Sequence, residues 1–282
     1  MELRETIENI AERAKNSVPI NDGDYIKDGL LYCNKCHTPK QCVVTLFDEP
    51  KIVYCQCKCE QERVQKEFEA EYEKAKQKKL MERVQDCFGN RHELRRYCFG
   101  LYDDSNDKLL KICMNYVDHF RDFKMLGKGL LFYGDVGIGK TFFACCIANA
   151  LLKRGYACKF TSFRAIINNL WKAENKNDVL DDLERYQLLI IDDYGIESMT
   201  EYTNEMISMI INVRCEQGLP LIMTTNLKPE ELKNPKDISQ KRVMSRLLEM
   251  TEPIEVKGFD RRRENYKKEH EYVKSLLYGD EQ

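Results

Sequence analysis

From about residue 127 onward, short uninterrupted apolar runs alternate with stretches whose apolar residues recur at helical spacing. The runs are Leu130–Tyr133, Cys158–Thr161, Leu188–Ile191 and Leu221–Thr225. Helices are expected from Lys140, from Phe163, from about Tyr202 and from about Pro229. Alternating β and α segments argue for a parallel sheet covered by helices on both faces. Strands that read as bare apolar runs, without polar alternation, are those buried on both sides. A last helix is expected over 262–277, basic at its start.

The first ninety residues have a different rhythm. Leu3, Ile7, Ile10, Ala11 and Ala14 stand at helical spacing, so residues 1–15 are expected to form a short amphipathic helix, which Pro19 and Asp22-Gly23 end. Residues 29–59 are short, β-rich and studded with cysteine. Residues 60–86 read as a highly charged helix in which Val64, Phe68, Tyr72 and Ala75 make only a narrow apolar stripe, the pattern of a solvated linker.

Composition narrows the class. The chain has 282 residues, 45 basic and 47 acidic, for a net charge of -2. That balance excludes a uniformly basic nucleic-acid coat. The N-terminus is charged throughout, unlike a secretory signal. The longest apolar run, Phe142 to Leu152, is interrupted by Asn149 and falls short of the ~18 residues that span a bilayer. A cytoplasmic protein with no membrane role is expected. Of thirteen cysteines, six crowd into 33–59 and seven are scattered among apolar neighbours. This is the pattern of one metal site plus ordinary buried thiols.

Gly134-Asp135-Val136-Gly137-Ile138-Gly139-Lys140-Thr141 matches G-x-x-x-x-G-K-[ST] and sits between an apolar strand and a helix. The glycines let backbone N–H groups turn toward phosphate oxygens. Lys140 reaches the β/γ phosphates, and the Thr141 hydroxyl ligates Mg²⁺. The helix starting at Lys140 adds its positive end. The nucleotide-binding set is taken as Gly134 through Phe142. Next, Leu188–Ile191 delivers Asp192 and Asp193 at a strand end, a Walker B pattern. Asp192 is expected to hold Mg²⁺ and Asp193 to orient or deprotonate the attacking water. Many such ATPases have Glu in the second place, and Asp is one methylene shorter. Leu221–Thr225 then ends at Asn226, whose amide suits the water or the γ-phosphate.

Cys33-x2-Cys36 and Cys55-x-Cys57-x-Cys59 supply five thiols, with His37 and Cys42 as spares. Tetrahedral Zn²⁺ takes four, at about 2.3 Å. In an extended segment Cys55 and Cys59 lie roughly 13 Å apart, so the second pair is either 55/57 or 57/59. Candidate nucleic-acid contacts are the basic run Arg261-Arg262-Arg263 with Lys267 and Lys268, and the aromatic side chains of Trp171 and Tyr202.

The runs GKGLLFYGDVGIGKTFFACCIANALL, YQLLIIDDYGIE, LIMTTNLKPEELKNP, RVMSRLLEM and VKGFDRRR, in that order, resemble the AAA+ ATPases, specifically the DnaC/DnaI-type replicative helicase loaders of phages and mobile elements. The likeness is dense from about 94 to 265 and looser over 30–62. Asp135, Ile138 and Tyr194 depart from the usual pattern without touching phosphate or metal ligands. The resemblance implies an α/β fold: a AAA+ P-loop core with a parallel sheet flanked by helices over 94–282. A small zinc-ribbon-like, partner-binding module (1–62) and a charged linker helix (63–93) precede it.

The resemblance also implies roles. Asn226 matches sensor 1. Arg246 matches the arginine finger that acts on a neighbouring subunit's ATP, which makes the active form an oligomer. Arg262 resembles sensor 2, with Arg261 and Arg263 open if the register slips. The family's C-x-C-E ending favours Cys57 and Cys59 as the second zinc pair, Cys55 being the alternative. The implied function is an ATP-dependent loader, using ATP, Mg²⁺ and structural Zn²⁺. Its N-terminal module would grip a hexameric replicative helicase to be placed on single-stranded DNA. The rival is an IstB-like transposition ATPase working with a transposase on duplex DNA. A small-molecule kinase would leave Asn226 and Arg246 unexplained.

Overall fold

The computed structural model describes residues 19–102, 107–195, 201–228, 230–231, 238–258 and 260–278. The amphipathic helix expected over 1–15 lies outside them. The described residues fall into two compact units, divided between Lys78 and Lys79.

The first unit is built from two hairpins. Strands β1 (Tyr25–Lys27) and β2 (Leu30–Tyr32) pair antiparallel, as do β3 (Gln41–Leu46) and β4 (Glu49–Tyr54). Each pair is joined by two residues with positive φ: Asp28 and Gly29 at 52° and 77°, Phe47 and Asp48 at 52° and 65°. That is the backbone of the tight turn whose twist matches flanking strands. Asp-Gly takes it readily, whereas a phenylalanine does so at a conformational cost. Under the hairpins, Lys40 and Asp24 form a buried ion pair at 2.5 Å. Lys40 also donates to the Pro19 carbonyl, and Asp24 accepts from the Asn34 and Asn21 N–H groups. The Lys40 ammonium, first, and those N–H groups hold the Asp24 carboxyl down to about 2. Helix α1 then runs unbroken from Lys58 to Phe88.

The unit boundary falls inside the segment expected as a tether. The reason is visible in α1 itself. Val64, Phe68 and Tyr72 are exposed, but Leu80, Val84, Cys87 and Phe88 belong to the core of the second unit. These last stand at i, i+4, i+7 and i+8, one face of a helix.

The second unit holds a five-stranded sheet of order β6-β7-β8-β5-β9, parallel throughout. Its strands are β5 (Gly129–Tyr133), β6 (Cys158–Thr161), β7 (Leu188–Tyr194), β8 (Leu221–Thr225) and β9 (Thr251–Glu255). Its helices are α2 (Asp107–Asp118), α3 (Phe120–Met125), α4 (Lys140–Lys153), α5 (Phe163–Lys172), α6 (Lys176–Glu184), α7 (Glu201–Glu216), α8 (Ile238–Met250) and α9 (Arg261–Tyr278).

Side chains alternate between the two faces. Leu130, Phe132, Leu188, Ile190 and Ile222 face a core made with α1, α2, α3 and α4. Leu131, Leu189, Ile191, Leu221 and Met223 face a second core made with α5, α6, α7 and α8. The central strands are therefore continuously apolar over Leu130–Phe132, Leu188–Ile191 and Leu221–Met223. Gly129 is required where β5 and β8 approach: a Cβ there would collide with the Leu221 backbone. The edge strand β9, α2, α3 and α6 lie outside the elements read from the sequence. β9 reads TEPIE, too polar for the buried-run pattern, and its proline is tolerated because the strand is at an edge.

Two buried polar residues tie the layers together. Asn149, which interrupts the apolar run of α4, donates to the carbonyls of Leu94 and Tyr97 at 3.0 and 2.9 Å. Arg214 of α7, fully buried, donates to the carbonyls of Leu183, Tyr186 and Pro220. Burial draws its guanidinium down to about 10.

Candidate functional site

Three neighbouring strands, β7, β8 and β5, end at one edge of the sheet, where parallel α/β folds bind ligands. From β5 the chain enters the phosphate loop. Gly134, Gly137 and Gly139 take φ of 139°, 82° and 100°, values that only glycine adopts without strain. Ile138 turns inward and is buried, while Asp135 and Val136 are exposed. Phe142 stacks against Tyr102 and tilts against Tyr97, fastening the start of α4 to the preceding segment.

Lys140 is buried, and its Nζ donates to the carbonyls of Gly134 (2.9 Å) and Asp135 (2.6 Å) and to Oδ1 of Asn226 (2.8 Å). Asn226 follows β8 directly, so the strand's length sets this contact. The Thr141 hydroxyl donates to Asp192 Oδ1 at 2.9 Å. A hydroxyl of the loop beside a strand-end carboxylate is the pair that holds Mg²⁺ in P-loop proteins.

Asp192 and Asp193 lie within β7. A register shift between Ile191 and Tyr194 interrupts the β7–β8 ladder there, and Asp193 takes a φ of 57°. Such a bulge re-aims side chains next to a site. One further residue carries this geometry and was not singled out from the sequence. Thr224, fully buried in β8, donates to Asp192 Oδ1 at 2.6 Å and accepts from the Asp193 N–H at 2.9 Å. A hydroxyl inside the apolar run LIMTT was the available signal.

The other candidates are more dispersed. Arg246 is exposed on α8 and donates to Asn212 of α7. The side chains of Arg261, Arg262 and Arg263 lie outside the described residues. Trp171, 69% exposed at the end of α5, meets Tyr202 of α7 with ring centroids 5.9 Å apart. Lys176 sits 5.6 Å from the Tyr202 ring centre. Two aromatic residues proposed separately thus share one patch with a cation.

In the first unit, the sulfurs of Cys33, Cys36, Cys57 and Cys59 all lie within 4.8 Å of one another. Cys33–Cys59 and Cys57–Cys59 stand at 3.5 and 3.4 Å. Four thiolates around a tetrahedral zinc have sulfur–sulfur spacings near 3.8 Å at a Zn–S distance of about 2.3 Å, so this donor set fits a metal ion. The Cys33–Cys36 turn is closed by His37 N–H to Cys33 O and Cys33 N–H to Thr38 O. Cys59 enters the cluster because α1 begins at Lys58, which shortens the rise between Cys57 and Cys59. The Thr38 hydroxyl, first, holds the Cys36 thiol down to about 5, and the Cys57 and Cys33 sulfurs push Cys59 up to about 12. Cys55 is outside the group, with its thiol toward the Pro39 carbonyl. The His37 ring faces Tyr25.

The IstB-like ATP binding protein family matches residues 63–269, most of the chain. The chain belongs to that family. Within this IstB-like chain the match covers the phosphate loop, both aspartates, Asn226 and Arg246, and excludes the cysteine cluster. The replicative helicase loader DnaI of Bacillus subtilis (strain 168) is 30% identical over 179 residues, 58% of each chain. The replicative helicase loader DnaC of Escherichia coli (strain K12) is 29% identical over 122 residues, 42% of this chain and 49% of that protein. The chain thus spans about half the length of these relatives. A DnaI crystal structure superposes with a TM-score of 0.52 at 25% identity, covering 64% of this IstB-like chain and 98% of that one. No described helix is long and apolar enough to cross a membrane.

Proposed function

We propose that this IstB-like protein is an ATP-dependent helicase loader. It binds and hydrolyses Mg-ATP as an oligomer and places a hexameric replicative helicase on single-stranded DNA. The observation that carries this reading is the 30% identity to a helicase loader over 179 residues, together with a four-thiol module near the N-terminus.

Lys140 and the loop N–H groups hold the β/γ phosphates. Thr141 and Asp192 hold Mg²⁺, Asp193 positions the water, and Asn226 senses the γ-phosphate. Arg246, displayed on the surface of α8, reaches a neighbouring subunit's nucleotide, and Arg262 acts as sensor 2. Zinc on Cys33, Cys36, Cys57 and Cys59 stiffens the module that grips the helicase. Single-stranded DNA stacks on Trp171 and Tyr202, with Lys176 beside them for phosphate.

The test uses the full chain with the replicative hexamer of the source cell and a single-stranded DNA circle. Helicase unwinding should rise on adding the chain and ATP, and fail with Lys140→Ala. If the chain leaves loading unchanged but stimulates a transposase on duplex DNA, the transposition reading replaces this one.

A further inference from the structure

The segment leaving β9 runs along the phosphate loop. The Val256 N–H donates to the Tyr133 carbonyl at 2.9 Å, just before the loop begins. A Cβ on Gly134 would lie 2.5 Å from the Val256 carbonyl oxygen. One on Gly258 would lie 3.9 Å from the Ile138 carbonyl oxygen. One on Gly137 would collide with Asp260 Oδ1 and stand 2.5 Å from its Cγ. Three successive points of the strap thus rest on three points of the loop.

The last contact is chemically distinct, because it brings an anion to an anion-binding element. The Asp260 carboxylate occupies the side of Gly137 where any other residue would place its side chain. Gly137 is required by its φ of 82°, and the absence of a Cβ there leaves room for this carboxylate. Backbone N–H groups of such a loop gather around phosphate oxygens. A carboxylate against the same backbone opposes the triphosphate by like charge. Asp260 also immediately precedes α9, so any shift of its side chain and backbone reaches the first turn of that helix.

We propose that Asp260 is a nucleotide-gating carboxylate. Its charge weakens ATP binding at the loop, and seating of the phosphates moves it off Gly137 and carries the start of α9 with it. The proposal rests on the assignment of the loop as the ATP site. It makes α9 a reporter of nucleotide state within one subunit. Because Asp260 is exposed, solvent and salt screen the repulsion, and the effect is a few-fold rather than a switch.

The experiment compares full-length wild type, Asp260→Asn, Asp260→Ala and Lys140→Ala by titration with a fluorescent ATP analogue, with and without Mg²⁺. Asp260→Asn keeps the shape of the side chain and removes its charge. It should bind roughly three- to ten-fold tighter than wild type, with the gain shrinking as salt rises. Amide exchange over 256–270 should increase in wild type when ATP is added, and be raised already in Asp260→Asn without ATP. Equal or weaker binding by Asp260→Asn overturns the proposal, and weaker binding confined to Mg²⁺-containing buffer makes Asp260 a metal ligand instead. Unchanged exchange overturns the coupling to α9. ATP binding by Lys140→Ala overturns the nucleotide site itself, an outcome distinct from any result at Asp260.

Discussion

Lys140 Nζ and Asn226 Oδ1 stand 2.8 Å apart, joining the phosphate loop at the end of β5 to the end of β8. The contact brings a buried cation and a side-chain amide to one point between two strand ends. Lys140→Ala should abolish tight Mg-ATP binding, because the phosphates lose the inserted cation. Asn226→Ala should keep binding within a few-fold and slow turnover on the order of 10²-fold, the loss typical of one preorganised donor. Equilibrium binding and single-turnover hydrolysis separate the two. An Asn226→Ala protein that hydrolyses normally removes the amide from the mechanism.

Thr224 offers a sharper probe of the acidic pair. Thr224→Val keeps the volume but leaves the half-buried Asp193 N–H without its acceptor and Asp192 without one donor. The cost is about 1–3 kcal/mol of stability, with ATP binding retained and hydrolysis reduced. Asp193→Asn should likewise bind and fail to hydrolyse. A thermal melt together with a hydrolysis assay checks both, and wild-type values for Thr224→Val would show that the bulge holds itself.

Arg246 donates to Asn212 on its own subunit's surface. If it serves a neighbour, Arg246→Ala should bind ATP normally and turn over roughly 10³-fold more slowly. Mixing it with Lys140→Ala should restore part of the activity, since each protein supplies what the other lacks. Absence of recovery at every mixing ratio counts against a shared site.

The cysteine cluster predicts one zinc per chain in reduced protein. Cys57→Ser should lose the metal, while Cys55→Ser and Cys42→Ser, outside the four-thiol group, should keep it. Metal supplies folding free energy to a module of this size, so Cys57→Ser should also lose helicase binding while ATP binding persists. Elemental analysis and a pull-down with the hexamer are the readouts. A metal-free wild-type protein removes the zinc assignment.

Much of the nucleotide site was legible in the chain alone, for a physical reason. Phosphate binding needs glycines with positive φ, a lysine and a hydroxyl within eight consecutive residues, so the loop is local in sequence. Strands β5, β6, β7 and β8 were legible because burial leaves short apolar runs in each. Strand β9 was not, since it is largely solvated and carries Thr251, Glu252, Pro253 and Glu255. The cluster of Cys33, Cys36, Cys57 and Cys59 was readable only to within a choice of pairs. Its closure depends on where the hairpins end and α1 begins.

What the sequence by itself determined is therefore the set of candidate groups that lie close together in the chain: the loop from Gly134 to Thr141, the acidic pair, and the two cysteine pairs in outline. Tertiary structure alone decided which groups meet across strands. The Thr224 hydroxyl beneath both aspartates, the Lys140–Asn226 contact, the Trp171–Tyr202 patch and the Asp260 carboxylate on Gly137 join residues 31 to 123 positions apart. Such contacts follow from strand order, register and a bulge, and these are set by the packing of two cores against one sheet rather than by any short pattern in the chain.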